Sequence, residues 1–320
     1  MTPRNQPIST AKTRSPKSLK GLRILSLALN LPGPAALMRC RELGASCKKI
    51  EPLRPGSATT GSATTGNSSN TGNTGITGDP MSAYSPKAYA VLHQGIRVIT
   101  ANLKLDAGQR ALQRELARSD VLLTSFRPTA LTRFGLDWKT LHRSYPGLSQ
   151  VAIVGGPGAL AEQPGHDLTY LAENDLITGL DVPATLYADM GGALMAVQAV
   201  LQAALHQRAS GKGVYLEVPL SSAAAWLALP RSWGLTTPGA AVGGGHAGYR
   251  VYACQDGRVA VAALEPHFAA RLCVSADTPG ASMHTPATHD AIARFFRSQT
   301  RKQLDQLAAD QDIPLQTLAA

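Results

Sequence analysis

The sequence has little of the material from which membrane spans, metal fingers and nucleic-acid surfaces are made. No apolar run reaches the ~18 residues that a membrane helix needs, and residues 1–20 lack the apolar segment of a secretory signal. Aromatic residues make up only 5% of the chain and are not interleaved with basic ones, which argues against nucleic-acid binding. Neither a zinc site nor a disulfide framework is expected, because no CxxC or Cys/His spacing joins the cysteines Cys40, Cys47, Cys254 and Cys273. We expect a cytoplasmic protein with no metal, no membrane contact and no nucleic-acid partner.

Acidic residues are absent from the first 20 positions, where five of the basic residues stand. Half of the net charge of +10 therefore comes from this segment, which predicts a disordered basic tail over residues 1–20. A second segment, residues 54–79, is rich in Gly, Ser, Thr and Asn and almost free of apolar side chains. It lacks the GK[ST] ending of a phosphate-binding loop, so we predict a mobile surface loop.

The remaining chain alternates between strand and helix patterns. Its 320 residues are 44% hydrophobic, enough for two domains. Apolar runs such as "GLRILSLAL", "SCKKIE", "DVLLTSF" and "LSQVAIVG" are separated by helical periodicity, which predicts a parallel sheet covered by helices. We predict an α/β fold with a large Rossmann-like domain over residues 21–225. We predict a smaller α+β domain over residues 226–320. A helix carrying Trp226 and Trp233 leads through the glycine-rich "GGGHAG" to the hairpin "YRVYACQDGRVAVAAL", and helical segments follow to the end.

Two segments place titratable side chains at predicted helix starts. His166 and Asp167 follow a Pro-Gly turn in "EQPGHDLTYLA", where a local interpretation makes Asp167 a helix cap. Asp189 opens the helix in "LYADMGGALM", where a local interpretation makes it an N-cap. The glycines after it leave room for a ligand near the backbone. The apolar positions of that helix form one predicted stripe: Met190, Leu194, Val197, Leu201, Ala204 and Leu205.

The order of these segments resembles the family III CoA-transferases, the CaiB/BaiF family, which includes the α-methylacyl-CoA racemases. The resemblance begins at "LKGLRILSLALNLPGPAALMRCRELGASCKKIEP". It continues through "HQGIRVITANLKLDAGQRAL", "DVLLTSFRPTALTRFGLDWKTL", "GHDLTYLA", "LYADMGGALMAVQAVLQAAL" and "ASGKGVYLEV". It implies the family's fold, a homodimer, and coenzyme A as part of the substrate with no permanently bound cofactor.

The resemblance also assigns site residues. The family's catalytic aspartate falls on Asp189, the racemase histidine on His166, and the glutamate that supports this histidine on Glu265, in "AALEPHF". Five further positions are implied as coenzyme A contacts: Leu31 and Phe126 near the adenine or pantetheine, and Arg54, Lys104 and Arg133 at the phosphates.

Three functions stay open on the sequence. A racemase needs two proton-transfer groups on opposite faces of the α-carbon, which His166, oriented by Glu265, and Asp189 would supply. A CoA-transferase needs only Asp189, whose carboxylate attacks the acyl-CoA carbonyl and then carries the CoA as a thioester. A non-catalytic CoA-ester-binding homologue is the third hypothesis. It is suggested by two departures from the family pattern: "HQGIRV" replaces "NRGKRS", and the chain stops soon after "QDIPLQTLAA", before the segment with which family members return to the large domain.

Overall fold

The computed structural model describes residues 16–53, 64–66 and 78–320. Residue contacts divide this chain after Ala228 into an N-terminal unit and a C-terminal unit. Most of the predicted basic tail, most of the predicted 54–79 loop and the predicted phosphate contact Arg54 lie outside the described residues.

The N-terminal unit is built on one sheet. Six strands run parallel in the order β4-β2-β1-β5-β6-β7, and β3 joins the edge antiparallel to β4. The predicted α/β fold with a parallel sheet is therefore confirmed, although three residues of the predicted loop form the edge strand. The strands are β1 (Arg23–Ser26), β2 (Ser46–Glu51), β3 (Thr64–Gly66), β4 (Arg97–Thr100), β5 (Val121–Thr124), β6 (Ser149–Val154) and β7 (Tyr215–Pro219).

Helices cover both faces of this sheet, because its strands are apolar on both faces. Every residue of β5 and β6 is buried, and in β1 the adjacent Ile24 and Leu25 belong to different core clusters. The left-handed Gly44 (φ 101°) follows the first helix and lets the chain turn back into β2. The helices are α1 (Pro32–Glu42), α2 (Met81–Tyr84), α3 (Pro86–Leu92), α4 (Asp106–Leu116), α5 (Pro128–Arg133), α6 (Trp138–Ser144), α7 (Asp167–Glu173), α8 (Tyr187–Ser210) and α9 (Leu220–Leu227).

Helix α8 buries only part of its predicted apolar stripe. Val197 and Ala204 are buried and Leu201 is partly buried, whereas Met190, Leu194 and Leu205 are exposed. The rest of the buried face consists mainly of alanines with Gly192 and Val200. Small side chains let α8 approach α1 and α9 closely, so the contacts of α8 with these helices are made mainly by small residues. By length and composition α8 would suit a membrane span, yet half of that window is buried, as in the core helix of a globular protein.

The C-terminal unit is a three-stranded antiparallel sheet, in the order β10-β9-β8, packed with helices. The predicted hairpin is β8 and β9, with Asp256 and Gly257 at its turn. The prediction of helical segments to the end is wrong for the last strand: after the left-handed Asp312 (φ 49°) the chain pairs with β9 instead. The elements are α10 (Leu229–Ser232), β8 (Tyr249–Cys254), β9 (Gly257–Ala262), α11 (Pro266–Ser275), α12 (Pro286–Arg297), α13 (Arg301–Gln311) and β10 (Leu315–Ala319).

Candidate active site

A cavity of about 250 Å³ opens at the carboxyl ends of the parallel strands in the N-terminal unit. The strand order reverses between β1 and β5, and in open α/β sheets this switch point is where the loops diverge and ligands bind. The loop after β1 supplies Leu29 and Asn30 to the cavity wall, and the loop after β5 supplies Ser125, Phe126 and Arg127. The cavity therefore coincides with the position at which this topology favours ligand binding.

His166 and Asp189 both line this cavity. His166 is the extended N-cap residue of α7, and its backbone N–H donates to Thr169 Oγ1 at 3.1 Å. Asp189 lies in the first turn of α8, and is not the N-cap that a local interpretation of the sequence suggests, since Leu186 holds that position. The starts of two helices thus bring an imidazole and a carboxylate to one space.

Asp167 joins these two helix starts. Its side chain is 5% exposed, and its Oδ1 accepts the backbone N–H of Asp189 at 3.0 Å. Burial and the neighbouring Asp167 carboxylate raise the pKa of Asp189 from an ordinary 3.8 to about 6, and His166 opposes this with a smaller effect. Asp189 therefore changes charge near neutral pH, which suits a group that both accepts and donates a proton.

The glycines after Asp189 serve packing. A Cβ on Gly192 would overlap Leu220 Cδ2, and one on Gly191 would approach Leu227 Cδ1 to 3.2 Å. The sequence interpretation that they open space for a ligand is replaced by close contact between α8 and α9. This contact fixes the start of α8, and with it Asp189.

Two cavity residues were missed by sequence reasoning. Tyr170 is 6% exposed and lies one helical turn after His166, a spacing that puts both on neighbouring parts of α7. Arg127 is exposed and follows the end of β5. The available signals were the i, i+4 spacing for Tyr170 and the position just past a buried strand for Arg127.

Of the four predicted coenzyme A contacts among the described residues, only Phe126 lines the cavity. Leu31 is the partly buried N-cap of α1 and packs on the core beside the cavity-lining Asn30. Lys104 is exposed in the turn after β4, at the same edge of the sheet, and Arg133 is exposed in the last turn of α5. None of these placements tests the phosphate assignment, which stays a prediction.

Glu265 is exposed at the N-cap of α11, in the C-terminal unit. All residues that line the cavity belong to the N-terminal unit. The support of His166 by Glu265 therefore stays a prediction.

A second set of ionisable groups, the buried ion cluster of Lys49, Glu51, Asp79 and His93, lies beneath the loop after β1. Lys49 Nζ is 2.8 Å from Glu51 Oε1, 2.6 Å from Asp79 Oδ2 and 2.9 Å from His93 Nε2. The ligand atoms of the last three residues lie within 4.8 Å of one another, as in a metal site, but the Lys49 ammonium already lies among them. Asp79 Oδ1 also accepts the backbone N–H of Asn30 at 3.2 Å, which ties the cluster to the cavity wall.

Comparison with known proteins agrees with this fold. The model of CoA-transferase family III matches residues 19–320. Alpha-methylacyl-CoA racemase of Mus musculus is 27% identical over 79% of this chain and 63% of its own, and succinyl-CoA–D-citramalate CoA-transferase of Chloroflexus aurantiacus is 30% identical over 64% and 50%. The chain thus spans 63% and 50% of the length of these relatives. A CaiB/BaiF family protein from Brucella suis shares the fold with a TM-score of 0.71 at 20% identity, covering 94% of this chain and 84% of the other.

Proposed function

Because this chain belongs to CoA-transferase family III, we propose that it acts on a CoA thioester and epimerises a 2-methylacyl-CoA through an enolate. One observation carries the proposal: His166 and Asp189 line the same cavity. Two proton-transfer groups beside one space are what inversion at an α-carbon requires, whereas acyl transfer through a carboxylate has no use for the imidazole.

The proposed reaction is a proton exchange at one carbon. One of the two groups takes the α-proton, and the electron pair of the broken C–H bond moves into the thioester to form the enolate. The other group then protonates the opposite face of the carbon. With a pKa raised to about 6, Asp189 serves as base or acid at comparable cost near neutral pH. Acid–base groups placed in this way contribute about 10²–10⁴-fold to the rate.

Transfer of CoA between acids is the second candidate, and one observation favours it. Within the described residues, no hydrogen bond is made by the Asp189 carboxylate, whose backbone N–H alone is engaged. A carboxylate without partners is available to attack a thioester carbonyl. The D-citramalate CoA-transferase from Chloroflexus aurantiacus is similar at 30% identity, so both reactions occur among the relatives.

Exchange of the α-hydrogen distinguishes the two reactions. Wild-type protein is incubated in D₂O with each epimer of 2-methyldecanoyl-CoA, and both deuterium uptake and stereochemistry are followed. The racemase exchanges the α-hydrogen with solvent, whereas transfer leaves that C–H bond intact. His166→Ala should slow abstraction from one epimer far more than from the other. The exposed His206, which does not line the cavity, provides the matched control His206→Ala.

Hydroxylamine supplies the opposite test. An anhydride or thioester on Asp189 yields a hydroxamate, which an enolate mechanism does not form. Hydroxamate together with the absence of deuterium uptake would replace the racemase by the transferase. Calorimetric binding of acetyl-CoA with neither signal would leave a CoA-ester-binding protein without this chemistry.

A further inference from the structure

The hydroxyl group of Tyr170 has no hydrogen-bond partner among the described residues, although the residue as a whole is only 6% exposed. Two other buried tyrosines satisfy theirs: Tyr89 Oη donates to Glu51 Oε1 at 3.1 Å and Tyr252 Oη to the Ala247 carbonyl at 2.7 Å. Tyr170 is buried to the same degree, yet its hydroxyl makes no hydrogen bond in the part of the chain that the structure describes. The oxygen is not fully buried, so it reaches the cavity that Tyr170 lines and is open to a ligand there.

Two glycines make room for this hydroxyl in the cavity wall. An ideal Cβ on Gly155 or on Gly165 would lie 2.6 Å from Tyr170 Oη, so neither position accepts a larger residue while the phenol keeps its place. Neither glycine has a left-handed backbone, so space and not conformation is what requires glycine there. Both line the cavity, as Tyr170 does. The hydroxyl is thus turned toward the space shared by His166 and Asp189.

The surroundings keep the phenol protonated. Burial raises the pKa of Tyr170 above its ordinary value, Asp189 and Glu173 add to the rise, and Arg127 opposes it. A protonated phenol is a hydrogen-bond donor, and its hydrogen bond is strongest when the acceptor oxygen carries negative charge.

We propose that Tyr170 is a catalytic residue whose O–H donates a hydrogen bond to the thioester oxygen of the bound acyl-CoA. The proposal rests on the function proposed above. When the α C–H bond breaks, its electron pair moves through the new carbon–carbon double bond onto this oxygen, and the proton goes to His166 or Asp189. The Tyr170 O–H bond stays intact and its hydrogen bond shortens as the charge develops. On reprotonation of carbon the electron pair returns and the carbonyl forms again.

Tyr170→Phe removes only the oxygen. We expect the rate of α-hydrogen exchange at saturation to fall about 10²–10³-fold, as for other oxyanion donors, with KM nearly unchanged. The loss should be equal for both epimers, because the oxygen is common to abstraction from either face, whereas the loss in His166→Ala depends on the epimer. Tyr215 also carries a hydroxyl but does not line the cavity, so Tyr215→Phe is the matched control. Thermal unfolding of each variant checks that the fold is kept.

A second variant and a second signal separate chemistry from structure. Gly155→Ala keeps the hydroxyl but displaces it, and should lower exchange as well. Infrared difference spectra of a ¹³C-carbonyl-labelled acyl-CoA bound to the protein should show a lower carbonyl frequency in the wild type than in Tyr170→Phe. Exchange in Tyr170→Phe within about threefold of the wild type, or an unchanged carbonyl frequency, would overturn the proposal. If the wild type exchanges no hydrogen, the epimerase function fails, and the carbonyl frequency alone decides whether Tyr170 contacts the thioester.

Discussion

Two groups of polar side chains meet the loop after β1, and they differ in whether their hydrogen bonds are made. In the buried ion cluster the Lys49 ammonium has three acceptors within 2.9 Å. In the second, the cavity group of His166, Tyr170 and Asp189, the phenol and the carboxylate have no side-chain partner among the described residues. Residue type does not separate the groups, since each contains at least one carboxylate and a histidine. The difference indicates that the buried ion cluster stabilises the fold, whereas the cavity group is available to bind a ligand.

One titratable residue of each group, His93 in the buried ion cluster and Asp189 in the cavity group, has a strongly shifted pKa. His93 Nδ1 donates to the Tyr89 carbonyl at 2.7 Å, so Nε2 accepts from Lys49. Burial, together with the Lys49 ammonium, lowers the pKa of His93 to about 4, and the ring is neutral at physiological pH. The cavity group instead contains Asp189, with a pKa raised to about 6. Asp189 therefore changes charge near neutral pH, whereas His93 does not.

The largest expected effect comes from breaking the buried ion cluster. Lys49→Met leaves Glu51 and Asp79 buried with no cation between them, and removal of one partner from a buried ion pair costs about 3–5 kcal/mol. Adjacent Lys48 makes a 2.6 Å ion pair with Glu115 that is partly open to solvent. Lys48→Met should cost at most about 1 kcal/mol. Urea unfolding of both variants measures the difference.

Equal losses in these two variants would remove the distinction between the satisfied cluster and an ordinary surface pair. The cluster also anchors Asn30, whose left-handed backbone (φ 63°) forms part of the cavity wall. A stable Lys49→Met protein should therefore bind acetyl-CoA more weakly than the wild type, and Lys48→Met should not.

The next effect has the opposite sign. The folded-state pKa of Asp189 lies above its unfolded value, so this carboxyl favours folding below pH 3.8 and loses that contribution as pH rises through about 6. Asp189→Asn should therefore raise the free energy of unfolding by about 1–2 kcal/mol at pH 7.5, a figure reduced for the partial exposure of the side chain. The gain should vanish near pH 4. Urea unfolding of both proteins at the two pH values gives the difference directly.

A variant at Asp167 is the control for the predicted stabilisation by Asp189→Asn. Asp167→Asn keeps an oxygen for the backbone N–H of Asp189 but removes the neighbouring charge, which lowers the Asp189 pKa. In that background the gain from Asp189→Asn at pH 7.5 should shrink. A gain that is independent of pH would mean that packing, and not ionisation, separates Asp189 from asparagine.

Sequence patterns predicted the elements that depend on local apolar periodicity and missed those that depend on partners. "SCKKIE" matches β2 residue for residue, because its apolar positions and the glycine before it are local signals. The strand β10 exists only by pairing with β9, and the alanine-rich face of α8 is buried only because α1 and α9 approach closely. Long-range contacts of this kind leave little mark on the segment itself.

The same limit applies to the site. The family resemblance assigns His166 and Asp189, but no sequence pattern sets the distance between them. Lys49 and Glu51 alternate on one face of β2, a pattern that usually marks solvent, and only the contacts with Asp79 and His93 make burial tolerable. Tyr170 was passed over because its unfilled hydrogen bond is a property of the folded cavity.

The smallest expected effect tests whether the ligand-binding surface extends from the cavity group along the carboxyl ends of the strands to Lys104. Lys104 is exposed in the turn after β4, and β2 separates that strand from β1. Its ammonium makes no hydrogen bond or ion pair with the described residues, so it is available to a ligand phosphate. An exposed ion pair is worth about 0.2–1 kcal/mol, so Lys104→Ala should weaken coenzyme A binding by about 1.5- to 5-fold. The loss should diminish in high salt, since screening acts on exposed charges. Calorimetry with coenzyme A and with dephospho-coenzyme A, compared with Arg133→Ala, separates the phosphates: the residue that contacts the 3′-phosphate loses its effect when that group is absent. If Lys104→Ala binds both ligands as the wild type does, Lys104 is an ordinary surface residue and the ligand contacts only the loops after β1, β5 and β6.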